Sequence, residues 1–241
     1  MTQALHQLTA SMVNQLNRVD TISNNLANAN TTAFKEDSLS EGSFNKYLNQ
    51  KESISEEPNV LSSLMNTIPK IDSAYMDSSV GALKLTGNDL DFALTQKDTY
   101  FQIEHNDKKF YTRDGAFKVV DNILVTQNGY NVLDANSNKI IVDKNNGDFS
   151  TEIGVFEAKF NTKDKIGNNN FSADKNVNVK SISNTNNDKI TNKTLEVSNV
   201  NSIISMVSLI ESQRKFEQSQ KAITGIDEIN KKAIDSIGNG R

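Results

Sequence analysis

Apolar residues recur at intervals of three and four along the first thirty residues of the chain. One row of positions seven residues apart contains Leu5, Met12, Val19 and Leu26, and an interleaved row contains Leu8, Gln15, Ile22 and Ala29. This heptad pattern predicts an amphipathic helix from about residue 2 to about residue 29, roughly 40 Å long at about 1.5 Å per residue. The side chains of Asn28, Thr31 and Thr32 compete for backbone hydrogen bonds, which predicts that the helix ends there.

The last forty residues show the same type of pattern with a wider apolar face. The apolar positions are Met206, Leu209, Phe216, Ile223, Ile226, Ala233 and Ile237, joined early by Ile203, Val207 and Ile210. The pattern predicts a second helix of about 38 residues, roughly 57 Å long, with Ser198 or Asn199 capping its start. Because its early part carries more apolar positions than one helix seam needs, we expect it to contact more than one partner.

Between the helices the periodicity changes to that of β-strands. Residues 76–160 contain short runs of strand-forming residues separated by the turn-forming sequences NDK, RDG, VDN and QNG. This pattern predicts antiparallel hairpins in an all-β domain. Residues 161–194 are rich in Asn, Lys and Asp, and we expect loop there with one or two edge strands. Residues 36–75 are polar and contain both prolines of the chain, which favours an extended connector with short helical or strand pieces.

These elements predict an α+β protein with long terminal helices and an inserted antiparallel β domain. We expect residues 1–35 and 195–241 to form a discontinuous helical domain, residues 36–75 to form a connector, and residues 76–194 to form the β domain. Neither helix can bury its apolar stripe on a small β domain that is distant in sequence. The two helices are therefore expected to pair in a coiled-coil-like arrangement and to pack on neighbouring molecules.

The composition agrees with burial of apolar surface against partners. Only 36% of the 241 residues are hydrophobic, and the net charge of −4 comes from well-mixed charges without the basic stripe of a nucleic-acid-binding protein. The chain has no cysteine, which excludes disulfides and thiolate metal sites. No apolar run approaches the roughly 20 residues that span a bilayer. The first residues show neither the basic nor the continuous apolar region of a signal peptide, so we do not expect a cleaved signal.

Four stretches resemble sequence blocks of the bacterial flagellar axial family, the rod and hook proteins. They are SNNLANANTTAFK (23–35), LTGNDLDFAL (85–94), YTRDGAF with ILVTQNGYNVL (111–133), and LEVSNVNSIISMVSLIESQRKFEQSQKAI (195–223). They occur in the family's order and near its spacing. Three positions depart from the family's pattern: Ala33 stands where Gly is usual, Asp89 where Pro is usual, and Gly225 where a larger residue is usual.

The resemblance implies a structural protein and not an enzyme. Because hook proteins are usually much longer, it implies a flagellar basal-body rod subunit that polymerises into the helical tube carrying torque from motor to hook. The connector after residue 36 lacks a run resembling the extra stretch of the distal-rod paralogue, which favours the proximal rod. The implied partners are the chain itself, other rod and hook proteins, and the flagellar type III export apparatus. The implied location is the periplasmic rod of the basal body.

We predict that amides, hydroxyls and apolar side chains of both helices form the contacts between subunits. Buried amides must be hydrogen-bonded, so they fix register where a leucine would slip. Arg214 and Glu217 are candidates for an ion pair between subunits. The predicted interface consists of Leu5, Leu8, Met12, Val19, Ile22, Asn24, Asn25, Leu26, Asn28, Thr31, Thr32, Phe34, Asn199, Val200, Met206, Val207, Leu209, Ile210, Arg214, Phe216, Glu217 and Ile223.

The sequence offers little for catalysis, metal binding or a cofactor. His6 and His105 are the only histidines, and their contexts do not suggest a metal pair. The stretch DKNNGDFSTE (143–152) resembles a calcium loop, but its Gly is fifth and not sixth and no Glu stands at position twelve, so a tight turn is favoured. Asp89 and Asp91 are interpreted as a turn followed by the start of a strand and not as a catalytic pair. We expect no cofactor, metal, nucleic acid or small-molecule substrate.

Two other classes of function remain open at this point. The chain is compatible with a secreted coiled-coil stalk that carries a β binding head, and the distal rod is the alternative within the family. A cell-wall hydrolase is the least favoured class, because no paired catalytic groups are visible. Light scattering separates the first of these from a rod subunit, because a stalk stops at a dimer or trimer.

Overall fold

A computed structural model describes residues 2–43, 69–142, 152–173, 177–182 and 189–238. Over these residues the protein is α+β, as predicted, and it forms two compact units. The helical unit contains residues 1–26, 38–75 and 202–241, and the β unit contains residues 27–37 and 76–201. Most of the predicted connector and nearly all of the calcium-like stretch lie outside the described residues.

The N-terminal helix, α1, spans Thr2–Ala27, close to its predicted bounds. Its predicted apolar row is half-buried along most of its length. The most deeply buried side chains are nevertheless polar: Asn14 is 8% exposed and Asn25 is 3% exposed. These two asparagines lie beside the apolar row, so the sheltered face of α1 is wider than the heptad pattern predicts.

The C-terminal helix, α2, spans Ser202–Gly238. One row at alternating spacings of three and four is sheltered along this helix, and it contains Ser202, Ser205, Leu209, Ser212, Phe216, Ser219, Ile223, Ile226, Asn230 and Ala233. Leu209, Phe216 and Ile223 occupy this row as predicted. Met206 does not, because the smaller Ser205 takes the sheltered place while Met206 is 51% exposed. A search for apolar periodicity passes over serine, which explains the shift.

The prediction that Ser198 or Asn199 caps the start of α2 is also wrong. The helix begins at Ser202, three or more residues after the proposed capping residues Ser198 and Asn199. The hydroxyl of Ser198 accepts a hydrogen bond from the backbone N–H of Val200 at 3.2 Å, before the helix starts. The side chain of Asn199 is used elsewhere in the β unit.

The connector ends form a two-stranded sheet of β1 (Asp37–Ser43) and β2 (Pro69–Met76). A nine-stranded sheet dominates the β unit. Its strands are β5 (Thr99–His105), β6 (Lys108–Thr112), β7 (Phe117–Val120), β8 (Ile123–Thr126), β9 (Asn131–Val132), β10 (Val155–Glu157), β11 (Lys165–Ile166), β12 (Asn170–Phe171) and β13 (Lys180–Ile182). The order along the main path is β11-β12-β6-β5-β9-β8-β7, and β10 joins β5 to β13. Every pairing in this sheet is antiparallel.

Two short antiparallel pairs complete the β unit. Strand β3 (Leu83–Leu85) pairs with β15 (Thr194–Glu196), and strand β4 (Phe92–Leu94) pairs with β14 (Ile190–Asn192). Both pairs join strands from opposite ends of the β sequence. Strand β15 stands only a few residues before α2, so the segment that precedes this helix lies beside an early strand of the β unit.

Two predicted turns have the backbone geometry of tight hairpins. In the NDK turn between β5 and β6, Asn106 and Asp107 have φ of 49° and 59°. In the VDN turn between β7 and β8, Asp121 and Asn122 have φ of 52° and 63°. Two successive positive φ angles fit a type I′ turn, whose twist matches that of the flanking strands.

Residues 161–194 contain more strands than predicted. Strands β11 to β14 all lie within this range. Isolated apolar residues anchor them: Phe171 is 2% exposed and Ile190 is 4% exposed. The sequence resembles loop because each of these strands is only two or three residues long and has at most one buried side chain, so no alternation is visible.

The core of the β unit has two parts on opposite faces of β5. Phe101 and Ile103 belong to one cluster with Phe117 and Leu124. Tyr100 belongs to the other, where it makes an edge-to-face contact with Phe160 at 4.8 Å between ring centroids. Because consecutive residues of a strand point to opposite faces, β5 is buried on both sides and is the central strand of the unit.

Candidate functional site

The chain turns sharply where α1 ends. The backbone N–H of Thr31 donates to the carbonyl of Asn28 at 3.0 Å, and the hydroxyl of Thr31 also reaches the side-chain oxygen of Asn28 at 3.1 Å. Ala33 then adopts the left-handed conformation, with φ of 55°. The Cβ of an alanine costs about 1 kcal/mol or more in this conformation, and the departure from Gly at this position is therefore strained.

The turn is joined directly to the strand that precedes α2. The N–H of Ala33 donates to the carbonyl of Glu196 at 2.9 Å, and the N–H of Asn199 donates to the carbonyl of Phe34 at 3.3 Å. The residues that follow the N-terminal helix and the residues that precede the C-terminal helix therefore lie side by side.

Asn199 ties three segments together through its side chain. Its Oδ1 accepts a hydrogen bond from the backbone N–H of Glu36 at 2.8 Å. Its Nδ2 donates to the carbonyl of Asp77 at 2.9 Å and to the hydroxyl of Ser79 at 3.2 Å. An amide suits this position because it donates and accepts at once.

The segments that meet here, residues 31–36 and 196–199, are called the junction. A buried ion cluster lies at this junction. Glu196 is 2% exposed, and its carboxylate contacts the Lys35 ammonium through Oε1 at 2.5 Å and the Arg113 guanidinium through Oε2 at 2.9 Å. Lys35 and Arg113 are each 1% exposed. Two cations therefore share one carboxylate in the interior. We call these three residues the ion cluster.

Backbone groups form further hydrogen bonds with the charged side chains of the ion cluster. Arg113 donates from Nη1 to the carbonyls of Gln96 and Thr99, both at 2.9 Å, and from Nη2 to the carbonyl of Leu94 at 3.2 Å. The N–H of Gly81 donates to Glu196 at 2.8 Å. A buried charge without such partners would be strongly unfavourable, so this complete set of bonds is what makes the cluster tolerable.

The electrostatics of the ion cluster depend on Glu196. Burial lowers the pKa of the Lys35 ammonium, and the nearby Arg113 acts in the same direction. The carboxylate of Glu196 opposes both effects. Without Glu196, two cationic groups would be left buried beside each other.

Two glycines allow the backbone to approach closely around the ion cluster. A Cβ on Gly81 would meet the carbonyl oxygen of Val197 at 1.9 Å, and a Cβ on Gly115 would meet that of Phe92 at 1.7 Å. Because both distances are far inside van der Waals contact, no other residue fits at either place without a backbone shift.

A second, largely buried ion pair lies beside the turn. The Lys165 ammonium bonds the Asp37 carboxylate at 2.8 Å and lies 4.0 Å from the centre of the Phe34 ring. It also donates to the carbonyl of Lys35 at 3.2 Å. Phe34, which is 1% exposed, is thus held between the turn and the β11 strand.

The structure brings together only part of the predicted interface. Thr31, Thr32, Phe34 and Asn199 lie at the junction, whereas the other predicted positions are spread along the helices. Asn28 is buried and Asn24 is exposed. Arg214 and Glu217 are exposed, and so are Met206, Val207 and Ile210. The contacts that these residues make with other subunits stay a prediction.

None of the three members of the ion cluster is predicted from the sequence. The one signal for them is that each lies in a stretch that resembles the axial family: AFK, YTR and LEV. The two aspartates considered as a catalytic pair have separate structural roles. Asp91 accepts hydrogen bonds from Thr86 at 2.6 Å and Asn88 at 3.0 Å, and Asp89 forms an exposed ion pair with Lys193 at 2.8 Å.

Other candidate sites are not supported among the described residues. His6 and His105 are both exposed, as expected. Within the described residues, no group of three or more potential ligands is arranged to hold a metal ion. Neither of the two described helices is long and apolar enough to cross a bilayer.

Three family profiles match separate parts of the chain. The flagella basal body rod protein profile matches residues 9–35, the profile of the flagellar hook protein FlgE/F/G D1 domain matches residues 96–156, and the profile of the flagellar basal body rod FlgEFG protein C-terminal region matches residues 191–236. Lys35, Arg113 and Glu196 each fall in a different one of these three regions. The ion cluster therefore joins all three matched segments.

Whole-chain relatives decide the assignment. The flagellar hook-basal body complex protein FlhP of Bacillus subtilis (strain 168) is 31% identical over 259 residues, which covers 92% of this chain and 95% of the relative. The chain belongs to the flagellar basal-body rod protein family. The family's FlgF from Caulobacter vibrioides is 28% identical over 99% of both chains, and its FlgG from Bacillus subtilis is 29% identical over 95% of this chain and 97% of the relative. Membership confirms the resemblance and the interpretation as a structural protein and not an enzyme.

Proposed function

We propose that this protein is a rod subunit that polymerises into the helical tube of the basal body and transmits torque from motor to hook. Its partners are further copies of itself and other rod and hook proteins. In this proposal, residues 1–35 and 195–241 pair as a coiled-coil-like inner domain, and residues 76–194 form an inserted outer domain. The subunit reaches the periplasmic rod through the flagellar type III export apparatus, without a cleaved signal peptide.

The observation that carries this proposal is the apolar surface of α2. Within residues 202–210, five large apolar side chains outside the sheltered row are 49–74% exposed in the isolated chain, and they are Ile203, Ile204, Met206, Val207 and Ile210. Covering such side chains releases about 25 cal/mol for each Å² of apolar surface removed from water. A concentrated apolar face of this kind is typical of a protein surface that another protein covers.

Contacts between two different faces of neighbouring subunits generate a helical tube when they do not close into a ring. If the face of one subunit binds a different face of the next, repeated addition gives a helical array and not a dimer. The junction supports the pairing of the helices, because residues 33–34, a few positions after α1, are hydrogen-bonded to residues 196 and 199, a few positions before α2. The short segments between these residues and the helices keep the end of α1 and the start of α2 within reach of each other.

The proximal rod is the favoured position within this proposal. The support is the sequence of the connector, which lacks a run resembling the extra stretch of the distal-rod paralogue. Deleting the gene and imaging how far the rod grows separates the two assignments: a rod that stops near its base supports a proximal subunit, and a rod that reaches nearly full length contradicts it.

A matched pair of variants tests the assembly surface. Ile203→Ser with Val207→Ser places hydroxyls on the apolar face of α2, whereas Leu85→Ser changes an equally apolar side chain that is 76% exposed in the β unit. Each variant is expressed in the deletion strain, and basal bodies are isolated and probed for the subunit. We expect the α2 variant to be absent from basal bodies and the cells to be non-motile, with normal incorporation of Leu85→Ser. Normal motility with the α2 variant would overturn the proposal.

Charge reversal tests the predicted ion pair between subunits. Arg214→Glu is expected to impair motility, and reversing its acidic partner in the neighbouring subunit, for which Glu217→Arg is the first candidate, is expected to restore it. Full motility of the single Arg214→Glu variant would exclude the pair.

A further inference from the structure

The β unit contains a polar groove of about 560 Å³ that is separate from the ion cluster. The turn after α1 forms one wall at residues 30–32. The turn between β8 and β9 forms a second wall, and the hairpin between β11 and β12 forms a third. Asp114 lines the groove between these walls. The volume lies in the range of typical small-ligand sites.

The lining consists almost entirely of amide and hydroxyl groups. Asn, Gln, Thr and Tyr side chains provide eleven of the fourteen lining residues, Asp114 is the only acidic one, and no Lys or Arg is among them. Burial raises the pKa of the Asp114 carboxyl, and hydrogen bonds from the Ala116 backbone and from the side chains of Thr32 and Asn169 oppose that shift. A phosphate or another anion would find no cation here and would meet this carboxyl. A neutral ligand with many donors and acceptors matches the lining.

Hydrogen bonds between its walls hold the groove in shape. The side-chain amide of Asn169 donates to the carbonyl of Thr32 at 2.8 Å, and the hydroxyl of Thr112 donates to the carbonyl of Asn169 at 3.0 Å. In the opposite wall, the hydroxyl of Thr126 accepts from the N–H of Tyr130 at 3.1 Å. The polar groups are therefore fixed before a ligand arrives, which reduces the entropy lost on binding.

One lining residue is aromatic. Tyr130 is half-buried, and its ring packs on the ring of His105 at 4.3 Å between centroids, which holds it in place. An aromatic side chain among amides and hydroxyls suits a ligand that has both apolar C–H groups and many hydroxyls.

We propose that this groove binds a neutral oligosaccharide. Sugar hydroxyls pair with the amides and with Asp114, and the apolar face of a sugar ring packs on Tyr130. The inference does not depend on assembly into a rod, because every residue that carries it lies in the β unit.

Titration of the full-length monomer with maltotriose and with chitotriose, followed by nuclear magnetic resonance of backbone amides, tests the proposal. We expect saturable shifts for at least one of these sugars, concentrated at residues 30–32, 126–130 and 166–170. Asn168→Trp fills the groove from an exposed position in its wall, and Asn136→Trp is the matched change in an exposed turn outside it. Binding should weaken by about tenfold or more, equivalent to about 1.4 kcal/mol, only in Asn168→Trp.

Three results would overturn the proposal. One is the absence of saturable shifts with both sugars, and another is equal binding by the two tryptophan variants. The third is a set of groove shifts that depends on protein concentration without sugar, because the occupant would then be a second copy of the chain. Thermal unfolding of both variants confirms that each is folded before its binding is compared. A failure of sugar binding leaves the assembly test above unaffected.

Discussion

The β unit and the terminal helices solve the burial of apolar side chains in opposite ways. On β5, Phe101 and Ile103 are completely buried among other residues of the same unit. On α2, Ile203 is 74% exposed and Ile234 is 68% exposed. The β unit therefore carries its own core, whereas the helices keep a large apolar surface available. The difference teaches that one polypeptide can combine a self-sufficient fold with elements that are completed by association.

The largest effect is expected from removing the one anion of the ion cluster. Glu196→Gln leaves Lys35 and Arg113 buried without a counter-charge, and breaking a buried pair in this way costs about 3–5 kcal/mol. Urea unfolding followed by the near-ultraviolet signal of the buried tyrosines measures the loss in the β unit. Glu157→Gln is the control, because Glu157 is exposed at the end of β10. Equal stability of the two variants would mean that the ion cluster does not hold the β unit together.

A pair of isoleucines compares the two regions directly. Ile103→Ala removes a side chain that is 0% exposed, and Ile229→Ala removes one that is 62% exposed. We expect a loss of about 2–5 kcal/mol in the free energy of unfolding for Ile103→Ala, since a cavity is left in the core. For Ile229→Ala in dilute solution we expect a change within about 0.5 kcal/mol. A comparable loss in both variants would contradict the view that the helix surface is uncovered in the monomer.

The smallest effect concerns the strained turn that leads from α1 into the β unit. Ala33→Gly places the residue without a Cβ at φ of 55°. Relief of strain should outweigh the greater flexibility of the unfolded chain and should stabilise the β unit by up to about 1 kcal/mol. Ala116→Gly, at a position without positive φ, should destabilise it. Thermal unfolding of both variants provides the measurement, and destabilisation by Ala33→Gly would show that the turn is not strained.

The sequence predicted best where the determining interactions are local. The bounds of α1 and the positions of the two hairpin turns follow from neighbouring residues, because heptad spacing and turn-forming residues act over a few positions. The ion cluster could not be derived in this way, since Lys35 and Glu196 are 161 residues apart in the chain. Nothing in the periodicity indicates that these two charges meet in the interior.

Two further misses have a common cause. Apolar periodicity does not include serine, so it places the sheltered row of α2 one residue away, at Met206. Single apolar residues in an amide-rich segment show no periodicity, so the strands anchored by Phe171 and Ile190 resemble loop. In both cases the fold buries positions that are not marked by a repeating apolar pattern in the sequence.

The serines in the sheltered row of α2 allow a neighbouring chain to approach closely but do not fix its position along the helix axis. Ser205, Ser212 and Ser219 recur every seven residues, and their small size lets an adjacent backbone come closer than leucine would allow. The hydroxyl of Ser219 donates to the carbonyl of Lys215 in its own helix at 2.9 Å, so it requires no particular partner across the contact. The larger residues between the serines, Leu209, Phe216 and Ile223, are therefore the ones that we expect to fix axial position. Small residues that permit close approach thus alternate in this row with large residues that oppose sliding along the helix axis.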